Sequence, residues 1–362
     1  MFLACTPTVF VVENRYEILI HAHDNGIFAI EIGNSIFYEN NNGCLSSQKK
    51  FAKISVPQKL LDEYKYYTVI FRKTIERKAY FSQLESHKYQ KFEFKPLTKA
   101  SDINIYLLAD VHYHLDLATK PRGYFKNDLD LLVLSGDIGE VESYQNYFEV
   151  SKFLGDISGG KIPVIFARGN HDVRGAMAEN FTDFFPSVNK NTYFYFELPT
   201  LCGIVSDCGE DKADTHEEYG GVNAFHTFRI NQTKYLATLK KASKPCFVVS
   251  HICPNQTTEN IGNAFDIERS IYTKWTDHYQ RIGVKFMLCG HIHKTYILQS
   301  NDQRAIIKNP YPVIVGSALP KNDFIGSALT LIDNKLLVKF TNCNHEVLQS
   351  YTLDLDSGTL ID

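Results

Sequence analysis

Hydrophobic residues in the first hundred positions fall in short runs separated by turn residues. Apolar stretches at 16–22 and 27–33 flank Asp24-Asn25-Gly26, and Asn-Gly between two apolar stretches predicts a β-hairpin. Further strand-like runs follow at 35–38, 51–56, 67–72 and 91–94. Short strands at this spacing predict a small all-β sandwich domain over residues 1–98, which ends in a linker.

The pattern changes after residue 98. Continuous apolar runs at 103–109, 128–135, 162–167, 246–250 and 284–289 are typical of strands that are covered on both faces. Two segments between them show helical periodicity. The residues on one face are Tyr144, Tyr147, Phe148, Ser151 and Leu154 in the first, and Ile267, Ile271, Trp275 and Tyr279 in the second. This alternation predicts an α/β layered domain over residues 99–362, with a final hairpin at Asp333-Asn334.

Each of the five apolar runs is followed at once by carboxylate, imidazole or amide side chains. The five segments are Asp110-Val111-His112, Gly136-Asp137, Gly169-Asn170-His171-Asp172, His251 and Gly290-His291-Ile292-His293. In layered α/β folds the ligand site lies beyond the carboxyl ends of the strands, so we expect these side chains to converge. If the segments are extended, Asp110 and His112 point the same way, as do His291 and His293. The three glycines would permit sharp turns and close backbone approach.

The residue types indicate a metal site. Asp, Asn and His side chains supply oxygen and nitrogen ligands, which suit Mn, Fe, Zn or Co. The set is larger than one ion needs, and the surplus predicts two ions about 3.5–4 Å apart that share a carboxylate. Each motif alone is weak evidence, since Gly-Asn-His-Asp is equally compatible with a loop and a helix N-cap. The five motifs in order, each after an apolar strand, favour the metal site.

This ordered set resembles the pattern of the calcineurin-like metallophosphoesterase superfamily, and no ligand position is substituted. The resemblance covers residues 103 to about 316 and implies two sheets flanked by helices, an αββα arrangement. It implies that one metal is held by Asp110, His112, Asp137 and His293. It implies that the second is held by Asp137, Asn170, His251 and His291. His171 and Asp172 fall at the positions of the general acid and its orienting partner.

The chemistry expected of such a site is hydrolysis of a phosphomonoester or phosphodiester. A hydroxide held between the two ions would attack phosphorus, and His171 would protonate the departing oxygen, since an unperturbed histidine pKa is about 6.5. Asp172 would hold His171 in the productive tautomer. Purple acid phosphatases carry a tyrosine ligand where this chain has Glu140, so the purple colour should be absent. The first hundred residues are similar to the fibronectin-III-like sandwich that precedes the catalytic domain in some bacterial members.

Several polar residues near the motifs have two alternative interpretations. Lys212 and His216 lie in a polar stretch over 208–221, and either contact substrate or are solvated. Arg168 either clamps a phosphate or forms a structural ion pair. His21 and His23 form a His-x-His pair with no further ligands nearby, and we expect solvated strand residues there rather than a metal site.

Charge and composition narrow the function classes. The net charge is −3, and no Lys/Arg cluster lies beside the motifs, so a nuclease of the same superfamily and other nucleic-acid partners are disfavoured. A non-catalytic binding or scaffold protein on the same fold would be expected to have lost ligands, and none is lost. The expected partner is a small-molecule phosphate ester. The sequence leaves open the substrate, the choice between monoester and diester, the metal, the oligomeric state and the role of the N-terminal domain.

The expected location is the cytoplasm, without a membrane partner. The first residues lack the basic and apolar regions of a signal peptide, and no stretch approaches the roughly 20 apolar residues of a membrane helix. The eight cysteines are scattered and form no CxxC pair, so we expect reduced thiols.

Overall fold

The computed structural model of the chain describes residues 1–39, 48–253, 268–305 and 307–361. The N-terminal strands are β1 (Thr8–Val12), β2 (Arg15–Ile32), β3 (Ser35–Tyr38), β4 (Lys49–Pro57), β5 (Tyr66–Glu76), β6 (Gln83–Leu84) and β7 (Lys88–Glu93). The later strands are β8 (Ile103–Leu108), β9 (Leu131–Ser135), β10 (Pro163–Ala167), β11 (Phe194–Glu197), β12 (Cys202–Ser206), β13 (Cys246–Ser250), β14 (Val284–Cys289), β15 (Tyr296–Leu298), β16 (Val313–Val315), β17 (Gly326–Ile332), β18 (Lys335–Thr341), β19 (Val347–Asp354) and β20 (Thr359–Ile361).

The helices cover the sheets and connect the strands. In the described ranges they are α1 (Gln58–Tyr64), α2 (Leu115–Ala118), α3 (Tyr144–Ser158), α4 (Phe181–Phe184), α5 (Phe225–Thr238) and α6 (Arg269–Ile282). Both predicted amphipathic helices are present as α3 and α6, although Ile267 lies outside the described residues. The Ser143 side chain caps the start of α3, and Gly159, with a φ of 65°, ends it. None of these helices combines the length and the apolar character that crossing a membrane requires.

Two sheets form the centre of the molecule. The larger has 14 strands in the order β20-β19-β18-β17-β8-β9-β10-β1-β2-β5-β6, with β3 and β4 paired to β2 and β7 paired to β5. The smaller has the order β11-β12-β13-β14-β16-β15. Apolar side chains from both sheets, such as Val133, Phe247 and Leu288, belong to one buried cluster. The predicted α/β architecture with two sheets and flanking helices is confirmed.

The outer face of the smaller sheet packs against α5 and α6. Tyr272, Trp275 and Tyr279 of α6 are buried there with Val248 and Met287 of the sheet. Burial of such large side chains removes apolar surface from water, at about 25 cal/mol for each Å². The helical periodicity of the sequence therefore corresponds to an apolar helix face that is buried in the structure.

The predicted hairpin at Asp24-Asn25-Gly26 is wrong, because β2 runs through this segment without reversing. Its first half pairs with β1 and β4, and its second half pairs with β3 and β5. The pairing with β4 shifts register between His21 and Gly26, so an irregularity stands where a turn was expected. By contrast, the predicted hairpin at Asp333-Asn334 joins β17 to β18 and is confirmed.

The N-terminal region is rich in strands, as predicted, but its strands continue the sheet of the following region. β1 pairs in parallel with β10, with Val9 opposite Pro163. Hydrogen bonding between strands therefore crosses the predicted domain boundary at residue 98. Whether residues 1–98 and 99–362 fold independently stays a prediction.

Candidate metal centre

The candidate site lies where strands of both sheets end. β8, β9 and β10 run parallel in one sheet, and β13 and β14 run parallel in the other. Two hydrogen bonds connect these strand ends: Ser135 Oγ donates to the Ser250 carbonyl at 3.0 Å, and the Gly290 amide donates to the His251 carbonyl at 3.0 Å. The polar residues after the five strands are thereby drawn into one place.

The segments after the strands are turns, so the prediction of extended pairs is wrong. Five of the predicted ligands have a left-handed backbone, which residues with side chains rarely adopt. Their φ angles are 54° for Asp110, 44° for His112, 54° for Asp137, 71° for His291 and 55° for His293. Tight turns allow several side chains from a short segment to face one point, and backbone strain of this kind is concentrated at functional sites.

Two buried carboxylates form the floor of the site. Asp110 accepts hydrogen bonds at 2.9 Å from the His291 amide, while Asp137 Oδ1 accepts one at 2.9 Å from the His171 amide. Asp137 Oδ2 lies 3.1 Å from His251 Nε2 and 3.8 Å from His112 Nε2. Asp137 therefore contacts histidines from both of the metal sets that the family resemblance implies.

Asn170 and the remaining histidines complete the cluster. The Asn170 Oδ1 atom lies 3.1 Å from His251 Nε2 and 3.0 Å from His291 Nδ1. His251 donates from Nδ1 to the Ser135 carbonyl at 2.6 Å, which leaves Nε2 as the atom that faces the carboxylates. On the other side, the Nε2 atoms of His112 and His293 are 3.3 Å apart.

The donors are spaced for metal binding. Within the described part of the chain, three groups of side chains each have ligand atoms within 4.8 Å of one another. The groups are Asp110, His112 and His293; His112, Asp137 and His171; and Asp110, Asp137 and His251. The groups share members, and carboxylate and imidazole donors of this kind suit Mn, Fe or Zn. Five of the seven predicted ligands, together with His171, therefore fall in groups that could hold a metal ion.

Burial and neighbouring charges shift the pKa values of the clustered side chains. Burial raises the pKa of Asp110 to about 6, and burial lowers the pKa of His291 to about 3 and that of His112 to about 4. His251 differs, since burial opposes its charge but the carboxylates of Asp137 and Asp110 raise its pKa to about 10. The same contact holds the pKa of Asp137 below its usual range, although burial acts the other way. The close contact between His251 and the carboxylates thus raises the pKa of the imidazole and lowers that of Asp137.

His171 sits at the edge of the cluster and is 40% exposed, with its Nε2 atom 4.0 Å from Asp137 Oδ2. Asp172 is buried, and its Oδ2 atom accepts hydrogen bonds from the Gly169 amide at 2.7 Å and the Asp137 amide at 3.2 Å. These contacts of Asp172 hold the two turns together rather than orient the His171 ring. The expectation that Asp172 fixes the His171 tautomer stays a prediction.

The structure also separates the open readings of nearby residues. Arg168 donates to the buried Asp207 carboxylate at 2.7 Å, which is the structural ion pair. Lys212 lies 3.1 Å from Asp211, and His216 Nδ1 accepts from the Glu218 amide at 3.3 Å, so both contact their own loop.

Sequence reasoning missed Arg174 and Glu210. The Arg174 guanidinium forms two hydrogen bonds with Glu210, a buried carboxylate in the polar loop. This ion pair attaches the loop to the turn that carries His171. No local motif marks the pair, because its members are far apart in the chain.

Comparison with known proteins agrees with this site. A family model described as calcineurin-like phosphoesterase matches residues 103–295. A purple acid phosphatase from seeds of yellow lupin (Lupinus luteus) has a TM-score of 0.61 at 12% identity, covering 96% of this chain and 74% of its own. PhoD also has a TM-score of 0.61, at 9% identity, covering 98% of this chain and 91% of its own. No curated protein matches the chain.

At these identities the solved structures show a shared fold, and the family model shows membership. The matched residues contain every segment of the candidate metal centre, from Asp110 to His293. The chain therefore belongs to the calcineurin-like phosphoesterase family.

Proposed function

We propose that this chain is a dinuclear metal-dependent hydrolase of phosphate esters. The observation that carries the proposal is the shared carboxylate. Among the described residues, Asp137 and Asp110 each belong to two of the three side-chain groups that have metal-ligand spacing, and Asp137 contacts both His112 and His251. A carboxylate between two donor groups is the arrangement that a two-metal site uses.

Two transition-metal ions would be held by the residues already described. Asp110, His112 and His293 would serve one ion, Asn170, His251 and His291 the other, and Asp137 both. When bound, such ions lower the pKa of water and neutralise the charge on ester oxygens. The metal identity among Mn, Fe and Zn, and the class of ester, remain part of the proposal.

The protein's own residues would orient the site and move a proton. His251 is fixed by the Ser135 carbonyl, and the Asp137 carboxylate is fixed by the His171 amide, so neither has to reorganise when substrate binds. His171 is the most suitable proton donor, because its ring is partly exposed at the edge of the cluster. Its spacing to Asp137 and His112 also suits a metal ligand, so the two roles need a direct test.

The test combines metal content with turnover. Purified protein is analysed by plasma mass spectrometry and assayed with p-nitrophenyl phosphate and bis-p-nitrophenyl phosphate. We expect about two metal ions per chain, and loss of both metal and activity in Asp137→Asn. Asp130→Asn is the matched control, since Asp130 is also buried but pairs with Lys95 and Lys99. No metal uptake and no turnover under any added ion would overturn the proposal in favour of a binding protein.

A further inference from the structure

A cavity of 570 Å³ lies between β2, β4, α3 and α4. None of its described lining residues belongs to the candidate metal centre. Its volume falls in the range of pockets that enclose small molecules. The aromatic side chains that line it are Phe51, Tyr144, Phe148 and Phe184.

The aromatic residues form one stacked wall. The rings of Phe51 and Phe184 are 4.3 Å apart at 22°, and Tyr147 stacks behind Phe184 at 4.3 Å and 4°. Tyr144 lies 6.3 Å from Phe51 and is 55% exposed. A wall supported from behind presents flat ring faces, which suit a planar aromatic ligand.

His21 adds a polar atom to this wall. The prediction of a solvated histidine is wrong, because His21 is only 5% exposed and packs 5.7 Å from Phe51 and 5.4 Å from Phe148. Burial lowers its pKa to about 4, so the ring is neutral at physiological pH. Its Nε2 atom is buried and has no hydrogen-bond partner among the described residues. Native structures rarely leave a buried polar atom unsatisfied, which makes His21 an unusual member of this wall.

The charges that line the cavity favour an anion. Lys49, Lys50 and Asp183 all line it, so two cations face one carboxylate. The Lys49 ammonium lies 5.6 Å from the centre of the Phe51 ring and 3.3 Å from Glu39, which uses part of its charge. Lys50 is exposed and is one of the residues that line the cavity. Positive charge therefore stands beside flat aromatic surface.

We propose that this cavity binds a small planar aromatic anion, with its ring against Phe51 and Tyr144 and its anionic group at Lys50. The site is separate from the proposed hydrolase centre and does not depend on it. Aromatic phosphates, such as nucleotides, and aromatic carboxylates share this chemistry.

Calorimetry with 2-naphthalenesulfonate tests the proposal, because a sulfonate is not a phosphate ester and cannot be hydrolysed at the metal centre. Naphthalene-2-methanol lacks the anion, and propanesulfonate lacks the ring. Both should bind at least about tenfold more weakly than the sulfonate. The affinities of Asp137→Asn protein for adenosine monophosphate and for indole-3-acetate are then compared. The ligand that binds more tightly shows whether the cavity takes an aromatic phosphate or an aromatic carboxylate. Equal affinity for 2-naphthalenesulfonate, naphthalene-2-methanol and propanesulfonate would overturn the proposal. Failure of 2-naphthalenesulfonate to bind would also overturn it.

Variants locate the binding. Tyr144→Ala and Lys50→Ala should each weaken sulfonate binding about fivefold or more, while p-nitrophenyl phosphate hydrolysis stays unchanged. Tyr89→Ala and Lys59→Ala are matched controls, because both residues are exposed and neither lines the cavity. Circular dichroism confirms that all four variants are folded. Binding that survives both cavity substitutions would place the sulfonate elsewhere and contradict the assignment.

Discussion

The buried carboxylate of Asp137 contacts histidines from both sides of the candidate metal centre. Residue types and their order along the chain were sufficient to predict which side chains would meet, because each follows an apolar strand. The left-handed backbone of Asp110, His112 and Asp137 was not predictable, since a turn of this kind leaves no mark in the hydrophobic pattern. The contacts of Asp172 were not predictable either, because its hydrogen-bond partners are backbone amides.

His171→Gln should separate the two roles of this residue. If His171 is the proton donor, the variant keeps both metals and loses about 10²–10⁴-fold in rate on esters with poor leaving groups. Esters with good leaving groups should lose much less, because they need little protonation. A leaving-group series with metal analysis of the same samples provides the measurement. Loss of metal, or equal slowing across the series, would assign His171 as a ligand or a structural residue.

Metal affinity should rise with pH. In the metal-free protein the pKa of His251 is raised to about 10, so at pH 7 the ring is protonated and must release that proton to bind a metal. Metal binding should therefore strengthen about tenfold per pH unit between pH 7 and 8.5. The pKa of Asp110, raised to about 6, adds a second proton to release in more acidic solution. Titrations of Mn²⁺ at several pH values measure the slope, and a flat profile would contradict the protonated His251.

At the scale of elements, strands were easier to predict than the connections between them. The runs at 246–250 and 284–289 coincide with β13 and β14, because a strand covered on both faces is apolar throughout. The predicted turn at Asp24-Asn25-Gly26 does not form, because the pairing of β2 with other strands outweighs the local turn preference. Local signals describe only neighbours in the chain, whereas β2 is held by strands as far away as β5.

Gly169→Ala tests how closely two of these connections approach. A Cβ atom at Gly169 would lie 2.5 Å from the Asp137 amide nitrogen, and would also collide with the Asp137 side chain. We expect the variant to fold but to lose about 10–100-fold in metal affinity, as for other residues that support ligands. Gly220→Ala is the control for loss of a glycine without a collision, because a Cβ there meets nothing within 4 Å and only its left-handed φ of 57° opposes the substitution. Unchanged metal affinity in Gly169→Ala would show that Asp137 can move without loss of the site.

At the scale of the whole molecule, the sequence did not predict that one sheet continues through both regions of the chain. Nothing in the apolar run of β1 indicates that it pairs with β10, because both parallel and antiparallel partners accept the same residues. The compositional change near residue 98 marks a change of architecture along the chain. The compositional change did not indicate that hydrogen bonding between strands continues across residue 98.

Expression of residues 99–362 alone tests the predicted boundary. Removal of β1 would expose the edge of β10 and the apolar side chains that β1 covers, including Phe166. We expect this fragment to aggregate or to melt well below the full chain, as followed by circular dichroism and size-exclusion chromatography. A fragment that is monomeric, folded and active would support two independent domains.

The most direct test of the central claim is anomalous diffraction from crystals grown with Mn²⁺, measured on both sides of the manganese absorption edge. The dinuclear site predicts two anomalous peaks about 3.5–4 Å apart, with the Asp137 carboxylate between them. One peak, or none near Asp137, would contradict it.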